Sequence, residues 1–403
     1  MNSSRIPVLH FSNALARGGA EEHVLTLLRG LSREYFQLHL VCTPVVAKLL
    51  EKDLPQDVEV FPLSFYKPQQ AATALGLAKI LRQRRIQILH SHLFYASLFA
   101  SPVGWACRVP AIIETPHVRE QWRQGLKSRF VIDRWIGRCV THYIAVSEAN
   151  ARYLIDEKGL PGQKIHVIHN GSDLKRFQSG RTSSRNLRAA LGLADDVLVL
   201  LVAGRLEPQK GHTVLLEALP LIRREFPQVC TIFAGDGSLQ NQLQQRARSL
   251  GLYDCVKFVG FQSNMQDWFS LADIKVLPSF YEGLPLVAVE SMAVGTPVVA
   301  TAVDGTPEIV LHEKTGLTVP PGDPAKLAQA ICRLLANSGL RKQYGEAGRR
   351  WVHEQFSQEK QIRQTEELYL RALGMHDGRV FVSEDQPSTE PESRESALAG
   401  RAI

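Results

Sequence analysis

Short apolar runs recur along this chain, each closing in a turn and most leading into a helical pattern. In the first half they stand at 6–12, 38–43, 58–61, 87–91, 111–115, 142–146 and 165–168, with helical stretches such as 20–33 and 69–84 between them. A second series stands near 197–203, 229–234, 256–259, 274–277 and 297–300. From 324 to 374 the pattern is mostly helical, broken near Asn337-Ser338-Gly339. Strands alternating with helices make a parallel sheet covered on both faces. At 403 residues the chain exceeds one ordinary domain, and two α/β units are the natural division. The polar, Ser/Arg-rich stretch 174–190 reads as the linker. Residues 376–403, rich in Ser, Glu and Pro with few large apolar side chains, read as a disordered tail.

The composition excludes several classes. At 44% hydrophobic and 22% charged residues, the chain has ample core. No uncharged apolar run reaches the length of a membrane-spanning helix. Met1-Asn2-Ser3-Ser4-Arg5 leads straight into a strand, with no signal-like apolar stretch. Cys42, Cys107, Cys139, Cys230, Cys255 and Cys332 are scattered without metal-ligand spacing. They read as thiols in a reducing compartment, which points to the cytoplasm.

Charge is lopsided. Residues 1–180 hold 23 Lys and Arg against 14 Asp and Glu, and the remainder holds 24 against 26. Much of the basic excess lies over 119–138, where Arg119, Arg123 and Lys127 recur on one helical face beside Trp122, Leu126 and Phe130. Two readings stand: an interfacial helix that meets anionic lipid, or an amphipathic helix packed on its own domain. Nucleic acid is not expected, since no aromatic-basic repeat or recognition-helix pattern appears.

The chemistry concentrates in the second series. The run 197–203 ends in Gly204-Arg205-Leu206-Glu207-Pro208-Gln209-Lys210-Gly211. Arg205 and Lys210 therefore stand at the carboxyl end of a strand, where open α/β sheets bind ligands. A diphosphate there would gain charge-assisted contacts of roughly 1.5–3 kcal/mol each. Gly235-Asp236-Gly237 closes the next strand, and Gly260-Phe261 the one after, where backbone groups could meet a nucleobase. Phe280-Tyr281-Glu282-Gly283-Leu284-Pro285-Leu286-Val287-Ala288-Val289-Glu290 reads as a loop carboxylate, a helix start and a second carboxylate one to two turns in. N–H groups of a helix start over Gly283, Leu284 and Leu286 can hold phosphate. Glu290 can accept hydrogen bonds from paired ribose hydroxyls, and Glu282 sits near whatever the phosphate carries. A solvated helix start would show the same two glutamates.

In order and spacing, Arg205 with Lys210, Gly235-Asp236-Gly237, and Glu282 with Glu290 resemble the retaining glycosyltransferase family 4. Gly18-Gly19-Ala20-Glu21, Glu114-Thr115-Pro116-His117, Val146-Ser147-Glu148 and His169-Asn170-Gly171-Ser172-Asp173 are similar to its N-terminal motifs. The resemblance spans roughly 6–372. It implies a GT-B architecture, two Rossmann-like domains facing across a cleft. On that architecture residues 1–178 would form the acceptor side, 190–355 would bind the nucleotide sugar, and 356–375 would cross back to the first domain.

The resemblance further implies His117, Arg205, Lys210 and Glu282 as catalytic residues. Gly18, Gly19, Gly235, Asp236, Phe261, Gly283, Leu284, Leu286 and Glu290 would bind the donor. His90 and His92 either shape the acceptor pocket or are structural. Asn170 supports the domain-joining turn, and Ser147 has an adequate role as a helix N-cap. Positioned cations stabilise the departing diphosphate, so neither metal nor cofactor is expected; the resemblance favours a UDP-sugar as donor substrate, with GDP and ADP as the alternative nucleotides. No carboxylate stands as a nucleophile of the kind a retaining glycosidase uses. The expected mechanism is therefore front-face, the leaving phosphate oxygen taking the acceptor proton. The acceptor is read as a lipid-linked or growing surface glycan at the inner face of the cell membrane. A soluble acceptor, a sugar-nucleotide epimerase and a non-catalytic nucleotide-sugar sensor are the alternatives.

Overall fold

The computed structural model describes residues 5–15, 18–63, 70–120, 130–177, 181–376 and 379–380. The first sheet holds β1 (Ile6–Ser12), β2 (Phe36–Cys42), β3 (Glu59–Pro62), β4 (Ile88–His92), β5 (Ala111–Thr115), β6 (His142–Ala145) and β7 (Ile165–Val167). Its spatial order is β3-β2-β1-β4-β5-β6-β7. The second sheet holds β8 (Val199–Ala203), β9 (Cys230–Ala234), β10 (Val256–Gly260), β11 (Ile274–Leu277), β12 (Val298–Thr301) and β13 (Gly316–Val319). Its order is β10-β9-β8-β11-β12-β13. Every pairing in both sheets is parallel. Each order reverses direction once, between β1 and β4 and again between β8 and β11. Such switch points open a crevice at the carboxyl ends of the strands.

The apolar runs form these strands because both sheet faces are covered. All five residues of β8 are buried. Fully burying a side chain of this kind contributes about 1.5–3 kcal/mol. One core of the second domain joins β8 and β9 to the helices His212–Glu225 and Pro324–Leu335. The other sets the helices Met265–Leu271 and Leu286–Ala293 on the opposite face. No helix among the described residues is long and apolar enough to cross a membrane.

Three expectations change. The stretch read as a linker contains a helix, Arg181–Ala190, which packs on the helix Met265–Leu271. Arg185 and Asn186 are exposed, while Leu187 and Leu191 join the second core. Strand β13 has no counterpart among the expected strands, because Gly316-Leu317-Thr318-Val319 is short and only half apolar. Part of the expected tail is ordered: Met375–His376 pairs antiparallel with Arg379–Val380, and 381–403 lie outside the described residues.

The chain crosses between the sheets twice, and the crossings are zipped together. Ser172 N–H donates to Phe356 O at 3.0 Å, and Gln358 N–H donates to Ser172 O at 3.0 Å. Gly171 N–H donates to Gln361 Oε1 at 2.7 Å. The helix Gln358–Ala372 then lies on the first domain, with Leu368, Tyr369 and Leu370 in its core. A Cβ on Gly171 would sit 2.3 Å from Ser357 O and 2.6 Å from Gln358 N. Backbone cannot swing aside as a side chain can. Gly171→Ala is therefore expected to destabilise the chain by about 1–3 kcal/mol, read as a lower midpoint in urea unfolding.

Candidate active site

The loop after β8 is shaped by glycines that neighbouring backbone leaves no room to replace. A Cβ on Gly235 would lie 2.1 Å from Gly204 O, so the turns after β8 and β9 nest. Gly211 has φ +62°, and its Cβ would meet Pro278 O at 2.0 Å. The loop is thus clamped against the one following β11, across the switch point of the second sheet. Phe280 N–H donates to Gln209 O at 2.8 Å, and Gln209 Nε2 donates to Tyr281 O at 3.0 Å.

This clamp sets the charges. Lys210 Nζ lies 2.7 Å from Glu282 Oε1, with side chains 16% and 6% exposed. Ser279 Oγ donates to the same oxygen at 2.6 Å, and Glu282 N–H donates to Asp304 Oδ2 at 2.8 Å. Glu282, expected near whatever the phosphate carries, is buried. Arg205 is exposed, its side chain in a long 3.5 Å contact with Gln209 Oε1. Beneath them Lys275 is fully buried on β11; burial, aided by the nearby Lys210 charge, brings its pKa down to about 7.

Gly235, Asp236 and Phe261 form one corner. Asp236 Oδ2 accepts the Phe261 N–H at 3.1 Å, and the Phe261 ring is 74% exposed. Pro285 is the N-cap residue, and the helix itself runs Leu286–Ala293. Leu284 buries its side chain in the core, which leaves only its backbone for a donor. Leu286 is half-buried. Glu290, half-buried one turn in, accepts from Ser172 Oγ at 3.2 Å. Burial pushes its carboxyl up to about 7, against the Ser172 hydrogen bond.

The first domain meets this site at its own strand ends. A Cβ on Gly283 would lie 2.0 Å from His117 O, and one on Gly305 would lie 2.3 Å from Gly283 O. Glu308 accepts the backbone N–H groups of Glu148 and Ala149 at 2.9 Å each, and lies 2.8 Å from His169 Nε2. These bonds hold its carboxyl below the usual range despite burial. Ser147 caps its helix as expected, accepting Asn150 N–H at 3.0 Å. Gly18 is the extended N-cap of the helix Gly19–Gly30, and a Cβ on Gly19 would meet open space. Glu21 is buried and accepts from Ser12 Oγ at 3.2 Å. The expected residues thus gather from both sheets' carboxyl ends. Of the basic helix expected over 119–138, residues 121–129 lie outside the described residues, and 130–136 are helical.

Lys275, Asp304, Glu308, His10 and His23 escaped the sequence reading. Lys275 had a signal, a lone lysine inside an apolar strand. His10 and His23 had none, because only the fold brings them beside His90, His92 and His117.

A family model described as glycosyl transferases group 1 matches residues 183–351, and one described as Glycosyltransferase Family 4 matches 17–176. A D-inositol 3-phosphate glycosyltransferase of Streptomyces scabiei is 31% identical, across 93% of this chain and 90% of that protein. An uncharacterized glycosyltransferase of Methanocaldococcus jannaschii is 26% identical, across 89% of this chain and 95% of that one. The crystal structure of Anabaena HepE with UDP and glucose has the same fold. Its TM-score is 0.79 at 23% identity, covering 90% of this chain and 99% of that one.

A carboxyl whose folded pKa lies above its free value takes up protons more readily in the folded chain. Its contribution to stability is present below the free value and is lost as pH rises through the folded one. For Glu290 that window runs from 4.5 to about 7. Glu290→Gln removes the effect. Its melting temperature is expected to gain on the wild type as pH rises through the window and to hold that gain above it.

Proposed function

Because the chain belongs to glycosyltransferase family 4, the group 1 glycosyl transferases, we propose that it moves a sugar from a nucleoside diphosphate to a hydroxyl acceptor with retention of anomeric configuration. The observation that carries this reading is the meeting of Arg205, Lys210 and Glu282 at the second sheet's switch point, with Gly283 set against His117 of the first domain. Arg205 is the exposed cation for the diphosphate, and Glu282 holds Lys210 beside it. Charge that develops on the leaving group is stabilised by groups already in place, which costs no reorganisation during the step. No metal ion is assigned to this step, and added Mg²⁺ or Mn²⁺ is expected to leave turnover unchanged.

Glu290 and Ser172 stand where ribose hydroxyls would be received, and the exposed Phe261 ring beside Asp236 offers a face to the base. HepE binds UDP and UDP-glucose, and a UDP-sugar is the donor we assign here. His117 borders the transferred sugar. With no nucleophilic carboxylate assigned to the reacting face among the described residues, the leaving phosphate oxygen takes the acceptor proton as the new glycosidic bond forms. Closure of the cleft excludes water and limits donor hydrolysis.

The acceptor is assigned as lipid-linked. On the helix Phe130–Ile136, Val131, Ile132 and Trp135 are 52–61% exposed, with the exposed Arg134 and Arg138 beside them. Apolar side chains flanked by cations suit an anionic bilayer surface, where each basic residue contributes about 1 kcal/mol.

Thermal melts with UDP-, GDP- and ADP-sugars are expected to rise with UDP-sugars alone, since a ligand that binds the folded state stabilises it. Arg205→Ala abolishes that rise and lowers turnover by about 10²–10³-fold. A sensor would lose binding with no turnover to lose, and Glu282→Gln would then be silent in the transfer assay. In flotation assays the protein is expected to rise with vesicles containing anionic lipid and not with neutral ones, and Trp135→Glu to stay behind. Equal recovery with both vesicle types would return the acceptor to the soluble class.

A further inference from the structure

Three buried histidines line the first domain's wall of the cleft. His23 lies on the helix Gly19–Gly30, His92 ends β4, and His117 follows β5. Their ligating nitrogens lie within 4.8 Å of one another. A point central to three such atoms is within about 2.8 Å of each, so shifts of several tenths of an ångström reach the Zn–N distance of about 2.0–2.1 Å. One pair needs almost none. His92 Nδ1 and His117 Nε2 are 3.4 Å apart, long for a hydrogen bond. Two nitrogens bound to one tetrahedral zinc stand about 3.3 Å apart.

The surroundings suit a metal ligand set. His23 Nε2 is buried with no partner. Its Nδ1 is 2.7 Å from Asn170 Oδ1, a contact satisfied with the proton on Nδ1, which bares the Nε2 lone pair. Gln361, whose Oε1 accepts the Gly171 N–H, turns its Nε2 donor to the same Nδ1 at 2.8 Å, so metal binding at Nε2 requires that amide to move aside. His92 Nε2 meets His10 Nδ1 at 3.1 Å. Metal-bound histidines characteristically engage their second nitrogen in this way. A second grouping, His10, His90 and His92, is less suited. Both His90 nitrogens are taken, by Tyr369 Oη at 2.6 Å and Thr115 Oγ1 at 2.7 Å.

We propose that His23, His92 and His117 form a site for one divalent d-block cation of the zinc class, for which imidazole nitrogen is a favoured donor. The ion ties the helix Gly19–Gly30 to the ends of β4 and β5. It takes the His117 nitrogen that faces His92, and it is distinct from the cations assigned to the diphosphate. The site stands on geometry alone and survives if the transferase reading fails.

The test is a Co²⁺ titration of untagged, chelator-treated protein, read by the visible absorption of four-coordinate Co²⁺. One equivalent is expected to bind, to be displaced by Zn²⁺, and to raise the melting temperature. His23→Asn and His92→Gln, each keeping the non-ligating contact, abolish the band. Asn170→Ala keeps the stoichiometry but weakens Zn²⁺ binding by about 10–100-fold. His142→Gln, which breaks the half-buried His142–His166 pair at 3.0 Å, leaves the band intact. Absence of the band in the wild type overturns the proposal. So does its survival in both His23→Asn and His92→Gln, or its loss in His142→Gln. Cooperative melting without metal identifies the folded variants, and Asn170→Ala decides if neither ligand variant folds.

Discussion

The close approach of backbone to backbone at Gly283 sets the terms for the rest of the structure. The position its Cβ would take is filled by the carbonyl of His117, and its own carbonyl fills the corresponding position at Gly305. The strand ends of the two sheets therefore touch at one corner of the cleft, and groups from both domains face a common space. Residues whose chemistry means little singly are held within reach of one another there. The constraint is steric, so a side chain at Gly283 would have to displace the His117 backbone of the other domain.

Charge is arranged around that corner with an unusual vertical order. Arg205 is exposed, Lys210 and Glu282 are paired below it, and Lys275 is buried lowest, with a pKa of about 7. Burying a second ammonium near a paired one is unfavourable, and burial is the larger of the two influences that lower its pKa. Glu290 departs in the opposite sense for the same reason. A lysine and a carboxyl brought to similar values near neutrality can both change charge when an anion enters the cleft. Such perturbed pairs mark functional sites more often than structural ones.

Much of this was legible in the sequence, and where it was not the reasons are physical. The strand runs announced themselves because both sheet faces are covered, and Val199–Ala203 is as apolar as it is buried. Arg205, Lys210, Glu282 and Glu290 were readable because turns and helix starts are local. The helix Arg181–Ala190 looked like a linker because its surface is polar and its apolar contribution is little more than Leu187 and Leu191. Glu308 and Asp304 gave no local sign: one caps a helix of the other domain, and the other receives an N–H from 22 residues away. The histidine cluster is the extreme case, with His10 and His92 separated by 82 residues and joined only by sheet register.

The double crossing between the domains limits how they can move. Ser172 is bonded to Phe356 and Gln358 on either side, so the two connections behave as one pin rather than as two loose cords. Sliding one domain over the other would tear those bonds, and so would twisting. What remains is swinging about a single axis, with the pin at the rim and the Gly283 corner sweeping along an arc. A lever of that kind converts a few degrees at Ser172 into ångströms at the far lip of the cleft.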